Sequence, residues 1–424
     1  MRTTNNRLSV NILVGLLVFA SFKVGAAPTV LSLPAALDAI RSSSRTVIAE
    51  KAVQTAGAEV SIANRSPTPN LGLSASSIQL DQGLGGGSIL GAKRIDKGTT
   101  IDWVIERGSK LELRTQAAFL NLAVSKFELL DVLTQQQLQV IESYFEALAS
   151  QEKEFLLQGL LQSADQLLGA SRQRFALGDL SQQDLFRIEI ESQRAATELA
   201  QANLTRRLSL AALALAMGQP RFDDSSTVRS DWPQATSIDE KSAEELAGSF
   251  PEVKASDARV QLASAQIRLA DSLKKADPSI GVGINNYPGT SSASIGFRWS
   301  IPVFSSSYYN GEAERSRAQL EQAEALYRNL LMNAVSRVQQ LNSARLANWT
   351  RLKQFDDEII PRGLRVLQQA ELAYSKGGLP LTDLLEARRT LKAIQTDALA
   401  ARTEFAKSEF AWRLRLDSIN GSTK

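Results

Sequence analysis

The 424-residue sequence contains no cysteine and no histidine. Without cysteine there are no disulfides, no thiolate metal ligands and no cysteine nucleophile. Without histidine, the side chain best suited to ligate metals or move protons near neutral pH is missing, which weighs against an acid–base or metal-dependent enzyme. Only three Met are present, so soft donors for a metal ion are scarce. An excess of charge of one sign is lacking too. The first 26 residues carry Arg2, Arg7 and Lys23 and no acid, and removing them leaves the basic residues equal in number to the 45 acidic ones. A chain so close to neutrality, with no basic cluster and no aromatic ladder, gives no footing for nucleic acid. Proline is absent between Pro69 and Pro220. Beyond residue 26 no run approaches the roughly 20 apolar residues of a spanning helix, so any passage through a membrane must be made by strands. With no nucleophile–base set and no metal-ligand spacing, the chain reads as a non-enzyme without a cofactor or metal.

What is present begins with residues 1–26. Arg2 and Arg7, an apolar stretch over residues 12–20 and the small-residue end Val24-Gly25-Ala26 predict a secretory signal peptide, and the missing cysteine excludes a lipidated one. The mature chain is organised around two matching stretches, RQRFALGDLSQQDLFRI at 172–188 and QAELAYSKGGLPLTDLLEA at 369–387. Aligned at Gly178 and Gly377, each has an aromatic residue three positions earlier (Phe175, Tyr374). Each also has an Asp six positions later (Asp184, Asp383), followed by an apolar pair. A glycine between two helical runs takes the left-handed conformation that ends a helix. Each stretch therefore reads as the tip of a long antiparallel helical hairpin, and the chain builds that hairpin twice.

The two copies follow one plan. Residues 27–220 form the first repeat. A helix is expected over 33–64, stopped by Pro67 and Pro69, then a β-hairpin over 69–106 and a helical hairpin over 110–217. In the β-hairpin, a strand from 70 to 80 and a strand from 99 to 106 flank a glycine-rich loop over 81–98. That loop lacks the Gly-Lys-Ser/Thr ending of a phosphate cradle and does not open into a helix, so it reads as a plain connection. A polar linker follows at 221–237. The second repeat, 238–418, has a helix over 240–275 broken at Pro251, a β-hairpin over 278–302 and a helical hairpin over 310–416, with 419–424 as a tail. Pro69-Asn-Leu-Gly-Leu matches Pro278-Ser-Ile-Gly-Val, and Trp103 and Trp299 hold equivalent places. A bend is expected at Pro361, and Pro380 suits the first turn of the return helix. The proline-free helix from 110 to about 176 would be on the order of 100 Å long, far more than a globular core requires.

The strands set the fold class. Ile295, Phe297, Trp299 and Ile301 alternate with Ser294, Gly296, Arg298 and Ser300, as a wall between lipid and water would. Four such strands cannot close a barrel around a lumen, and an open edge is not tolerated in lipid, so several chains must share one barrel. Three chains give twelve strands. On periodicity alone, two soluble β-hairpins carried on an exported coiled-coil scaffold remain an alternative.

The duplicated helix–strand–strand–hairpin plan, the proline-terminated entries to the strands and the two tip motifs resemble the TolC-like outer-membrane efflux channels, across essentially the whole mature chain. The resemblance implies a mainly α fold with a membrane β part: a homotrimer with a twelve-stranded outer-membrane barrel and a long periplasmic α-helical tunnel in a Gram-negative bacterium. It implies a periplasmic adaptor and an inner-membrane pump, of the resistance–nodulation–division type, as partners. The function it implies is a passive exit for metal cations or drugs, with a channel for type I protein secretion as the alternative. It places an acidic pore constriction on Asp383 and Glu386, which lie three apart on one helix and share a face. The closing contact between hairpins maps onto Asp184 and Tyr374. Where a basic residue often joins that contact this chain has Leu379, so a weaker lock, or one built from Arg172 or Arg174, is expected. The adaptor-docking tips map onto Phe175, Gly178, Gly377 and Leu379, and the membrane-facing aromatics onto Trp103, Phe297 and Trp299. A competing role for Asp184 and Asp383 is capping and dipole matching in the first turn of each return helix.

Overall fold

The computed structural model describes residues 30–76, 96–220, 222, 225–235, 243–287, 291–303 and 305–420. The segment expected as a signal peptide, strand residues 77–80, the glycine-rich loop over 81–95 and the tail beyond 420 lie outside the described residues, as do parts of the linker. In the first repeat, strand β1 (Val30–Leu31) and helix α1 (Leu33–Ala39) precede α2 (Ser44–Ala63). The single helix expected over 33–64 is broken. Ser43 is extended (φ −68°, ψ 146°), and its hydroxyl accepts the Thr46 N–H at 3.3 Å. A serine that caps a new helix offers the backbone a better bond than continuation of the old one.

Strands β2 (Asn70–Ser76) and β3 (Asp96–Val104) follow, then α3 (Lys110–Ala176) and α4 (Gln182–Ala216). Strand β3 begins at Asp96, so residues 96–98, expected in the loop, are paired with β2. The 67 residues of α3 give it a length of about 100 Å. The linker contributes β4 (Thr227–Val228), which pairs in parallel with β1. The second repeat holds α5 (Ala243–Gly248), α6 (Pro251–Leu273), β5 (Ser279–Tyr287) and β6 (Ser291–Ser300). It continues through α7 (Ser305–Tyr308), α8 (Asn310–Gln354), α9 (Ile360–Ser375) and α10 (Leu381–Asn420). Between α8 and α9, Phe355–Ile359 is a π-helical turn. Pro361 has no N–H to donate, so the helix widens before it and runs on. Helix α10 starts at Leu381, which puts Pro380 at the cap instead of within the first turn. It also extends to Asn420, into the segment expected as tail.

The four long strands form one antiparallel sheet in the order β2-β3-β5-β6, with β2 and β6 as edges. Trp103, Ile280 and Trp299 lie in one cross-strand row, and Leu71, Ile101, Val282 and Phe297 in the next but one. Because side chains alternate along a strand, these rows share one face. That face is apolar and open: Trp103 is 56% exposed, Trp299 71% and Phe297 82%. The other face is lined by small or polar residues, with Gly72, Thr100, Gly283 and Gly296 in one row.

The first turn of α3 ties the sheet to the helices. Gly108 (φ 78°) and Ser109 (φ 57°) turn the chain out of β3. The buried ammonium of Lys110 then donates to the Lys275 carbonyl and to Asp277, both at 2.6 Å. Arg114 donates to the Ala63 carbonyl (3.1 Å), the Arg65 carbonyl (2.9 Å) and Glu106 (2.7 Å). One helical turn therefore gathers the carbonyl ends of both helices that feed strands, α2 and α6, which have no intrahelical partners of their own.

Two apolar cores sit midway along the helices, one per repeat. The larger packs Leu33, Ala36 and Ile40 against residues 140–148 of α3 and the end of α4, around Tyr144 and Phe145. The smaller packs Leu246 and Phe250 against Ala334, Val338 and Trp412. Beside the second lies a buried ion pair. Glu409, with no exposed surface, accepts from Arg345 at 3.2 Å and from Arg413 at 2.9 Å. Removing one member of a buried pair strands the other in a medium that cannot solvate it. Glu409→Ala is therefore expected to cost about 3–5 kcal/mol, read as a lowered thermal unfolding midpoint. Arg413→Ala, at the more exposed end of the cluster, is expected to lower it less.

Candidate functional site

The hairpin tips are built by two Schellman turns of the same design. At the first, the Gly178 N–H donates to the Phe175 carbonyl (3.0 Å) and the Asp179 N–H to the Arg174 carbonyl (2.9 Å), with Gly178 at φ 82°. At the second, Gly377 donates to Tyr374 (3.0 Å) and Gly378 to Ala373 (2.9 Å), with Gly377 at φ 73°. The aromatic residue of each motif thus supplies the carbonyl that receives the glycine N–H. Both glycines are exposed, with open space where a Cβ would stand. Phe175 is exposed and Leu379 half-buried beside them.

The two equivalent aspartates do different things. The Ser181 hydroxyl accepts the Asp184 N–H (3.1 Å) and donates to the Asp184 carboxylate (2.7 Å), which also lies 3.6 Å from Arg187. Asp184 is part of a helix cap. In the second repeat the residue aligned with Ser181 is Pro380, which offers only its carbonyl, taken by the Asp383 N–H at 3.2 Å. The Asp383 carboxylate keeps a single bond from Thr382 (3.1 Å) and is otherwise free to face outward. Asp383 and Glu386 are both exposed on the side of α10 opposite the buried Leu381, Leu384 and Leu385. Three residues on, Arg389 bonds Glu191 at 2.7 Å. That hydrogen bond holds the Arg389 pKa above the ordinary guanidinium value against desolvation, and the charges of Glu191 and Glu386 add to it.

Within one chain Asp184 and Tyr374 do not form the contact mapped onto them: Asp184 is held by Ser181 and Arg187. The Tyr374 ring packs against a small apolar cluster of Ile188, Leu381 and Leu385. The guanidinium of Arg174 lies 5.7 Å from the centre of that ring, with a long hydrogen bond of 3.5 Å to the hydroxyl. Of the two arginines considered for a lock, Arg174 meets the second hairpin, and Arg172 is paired with Glu189 inside the first (3.0 Å).

Above the tips, the two hairpins face each other along a seam that sequence reading missed. Glu191 pairs with Arg389, Glu198 with Lys392 (2.9 Å) and Glu146 with Lys407 (2.9 Å). Every acid in these pairs is on the first hairpin and every base on the second. A cavity of about 80 Å³ lies under the seam, lined by Leu160, Leu167, Ile188, Leu367 and Leu385. Exposed pairs contribute at most ~1 kcal/mol each. The seam is thus an orienting contact more than a core. Its only trace in the sequence is basic residues on α10 and acids on α3 and α4, whose pairing depends on how the hairpins lie together.

Among the described residues no helix is long and apolar enough to cross a membrane, and no cluster of acidic side chains is arranged to hold a metal ion. The broad exposed apolar surface among the described residues is one face of the sheet. A duplicated chain with an open-edged four-stranded sheet, apolar on one face, set on two long helical hairpins is the fold of the TolC-like outer-membrane efflux channels, and this chain has that fold. It is similar to the solved structure of CusC (TM-score 0.77, 17% identity, 91% of each chain covered). It is also similar to the outer membrane protein VceC of Vibrio cholerae (TM-score 0.73, 18% identity, 91% of this chain and 95% of that one). In sequence it is 28% identical to the cobalt-zinc-cadmium resistance protein CzcC of Cupriavidus metallidurans over 297 residues, 68% of this chain and 69% of that protein. No family model matches the sequence.

Since Gly178 and Gly377 meet no neighbouring atoms, a side chain there is penalised by the backbone alone. Gly377→Val is expected to destabilise the tip by ~1–2 kcal/mol, seen as faster proteolysis at Lys376. Gly377→Asn, which tolerates the left-handed region, is expected to stay close to the parent.

Proposed function

We propose that three copies of this chain form a passive outer-membrane exit channel of a tripartite efflux system. The sheets join into a twelve-stranded barrel and the hairpins into a periplasmic tunnel. The observation that carries this reading is the sheet. It presents large apolar side chains to the outside, small and polar ones to the inside, and two unpaired edges that only further strands can satisfy. The periplasmic adaptor meets the hairpin tips around Phe175, Gly178, Gly377 and Leu379, the parts of the tunnel farthest from the sheet. An inner-membrane pump of the resistance–nodulation–division type drives the solute. Metal cations are the favoured solute. The relative CzcC is named for cobalt, zinc and cadmium resistance, and Asp383 and Glu386 put two exposed carboxylates per chain at the tip. The channel itself has no histidine or cysteine with which to choose among soft metals, so selection falls to the pump.

Two experiments test this. Trp299→Asp puts a charge on the lipid face at a cost of roughly 2 kcal/mol, depending on depth. It is expected to abolish the outer-membrane trimer, and Ser300→Asp on the other face is expected to leave it intact. Equal behaviour of the two variants in trimer gels of outer-membrane fractions would reject the strand assignment. For the tips, carboxylates crowded into a narrow pore with low-dielectric walls focus a negative potential. Multivalent cations added on the periplasmic side are expected to block the wild-type channel in planar bilayers. Asp383→Asn with Glu386→Gln is expected to remove the block and weaken cation preference without affecting assembly. Block that survives in the double variant shows that these residues do not form the constriction.

A further inference from the structure

On the polar face of the sheet, Asn70, Asp102, Gly281 and Arg298 form one cross-strand row, the third from the end that joins the helices. Asp102 and Arg298 are two strands apart, yet Arg298 Nη1 lies 3.4 Å from Asp102 Oδ1. The bridge passes over Gly281. A Cβ at that position would stand 2.1 Å from the same Asp102 oxygen, so glycine is what lets the two side chains meet across the intervening strand. Thr100 donates to the second carboxylate oxygen at 3.3 Å and holds the carboxylate in the row. Among the described residues of this face from β2 to β6, the only other charge is Asp96, at the far end of β3; the rest of the regular rows are Ser, Gly, Thr and Asn, with Val104 at the helix end. The pair stands in the open: Arg298 is 64% exposed and Asp102 29%.

An exposed pair of this kind adds little stability, and a single structural link between strands does not need charge. What the pair does accomplish is electrical. A lone carboxylate projecting into a water-filled barrel acts over roughly a Debye length, about 8 Å at physiological salt. A carboxylate joined to a guanidinium is a short dipole whose field dies within the pair. We infer that Arg298 tunes the ion selectivity of the barrel by cancelling Asp102, so that this row adds no ring of negative charge near the tunnel end of the barrel and Asp96, at the far end, is left as the only uncompensated carboxylate among the described residues of the face. This rests on the channel reading above, with one pair from each protomer facing the lumen.

The test is the reversal potential of single channels in planar bilayers under a salt gradient, for Arg298→Gln, Asp102→Asn, the double variant and Arg298→Lys. Trimer formation on gels is checked for each. Arg298→Gln leaves uncompensated carboxylates, and its reversal potential is expected to move toward the cation equilibrium potential. Asp102→Asn leaves uncompensated guanidinium groups and is expected to move the other way. The double variant and Arg298→Lys, both neutral at this row, are expected to return to the wild-type value. Low salt enlarges both shifts and high salt erases them. Single variants that conduct with unchanged reversal potential, or that shift in the same direction, overturn the inference and leave the channel reading standing. A wild-type trimer that forms no conducting pore overturns the channel reading and this inference with it. If either single variant fails to assemble, Arg298→Glu in an Asp102→Arg background restores the pair with its signs exchanged, and a wild-type reversal potential is again expected. A shifted value in that exchange variant counts against the inference.

Discussion

The unpaired backbone edges of β2 and β6 are the constraint on which the rest of this molecule depends. Each edge presents N–H and C=O groups that must be satisfied, and one whole face of the sheet is apolar and, among the described residues, uncovered by any helix. Water satisfies the edges but not the face, and lipid satisfies the face but not the edges. The proposed barrel, shared among copies, is an arrangement that would satisfy both at once. Sheet and helical body meet at the junction at the start of α3. There Lys110 and Arg114 hold the ends of α2 and α6, so sheet and helical body are connected through ionic and carbonyl contacts and not through a continuous apolar core.

Below that junction the two repeats diverge in ways that bear on function. The capping serine of the first tip is a proline in the second, and this frees Asp383 from the work that occupies Asp184. The apolar core of the first repeat is larger, and the second relies on the buried Arg345–Glu409–Arg413 cluster. The second hairpin also carries the π-helical turn before Pro361. Between the hairpins, ion pairs and a small cavity stand where a tight apolar interface would otherwise be. The first repeat thus holds the larger apolar core and the second presents the freer tip carboxylates.

Much of this plan was legible in the residues. The alternation around Trp299 has a period of two that no helix shares, so strands and their faces could be assigned before any pairing was known. The absence of proline from 70 to 219 left α3 and α4 nothing to stop them but Gly178, and its left-handed turn follows from the lack of a Cβ. Duplication made each assignment in one half a check on the other. Local signals misled at element ends, where β3 begins at Asp96 and α10 runs on to Asn420, and at Ser43, whose capping bond outweighed the helical pattern on either side of it.

Pairing across distance was decided by the tertiary structure alone. Nothing in the order of residues says that Arg298 reaches Asp102 over Gly281, since that depends on β5 lying between β3 and β6 in a particular register. The seam of Glu191, Glu198 and Glu146 with Arg389, Lys392 and Lys407 depends on how two hairpins of similar composition rotate against each other. Arg174 was one of two candidates for the contact with Tyr374, and only the packing of the tips showed which one reaches it. Periodicity reports which way a side chain points from its own element, because that is set by the local backbone. Which side chain it meets is set by the placement of other elements, and that information is spread over the whole chain.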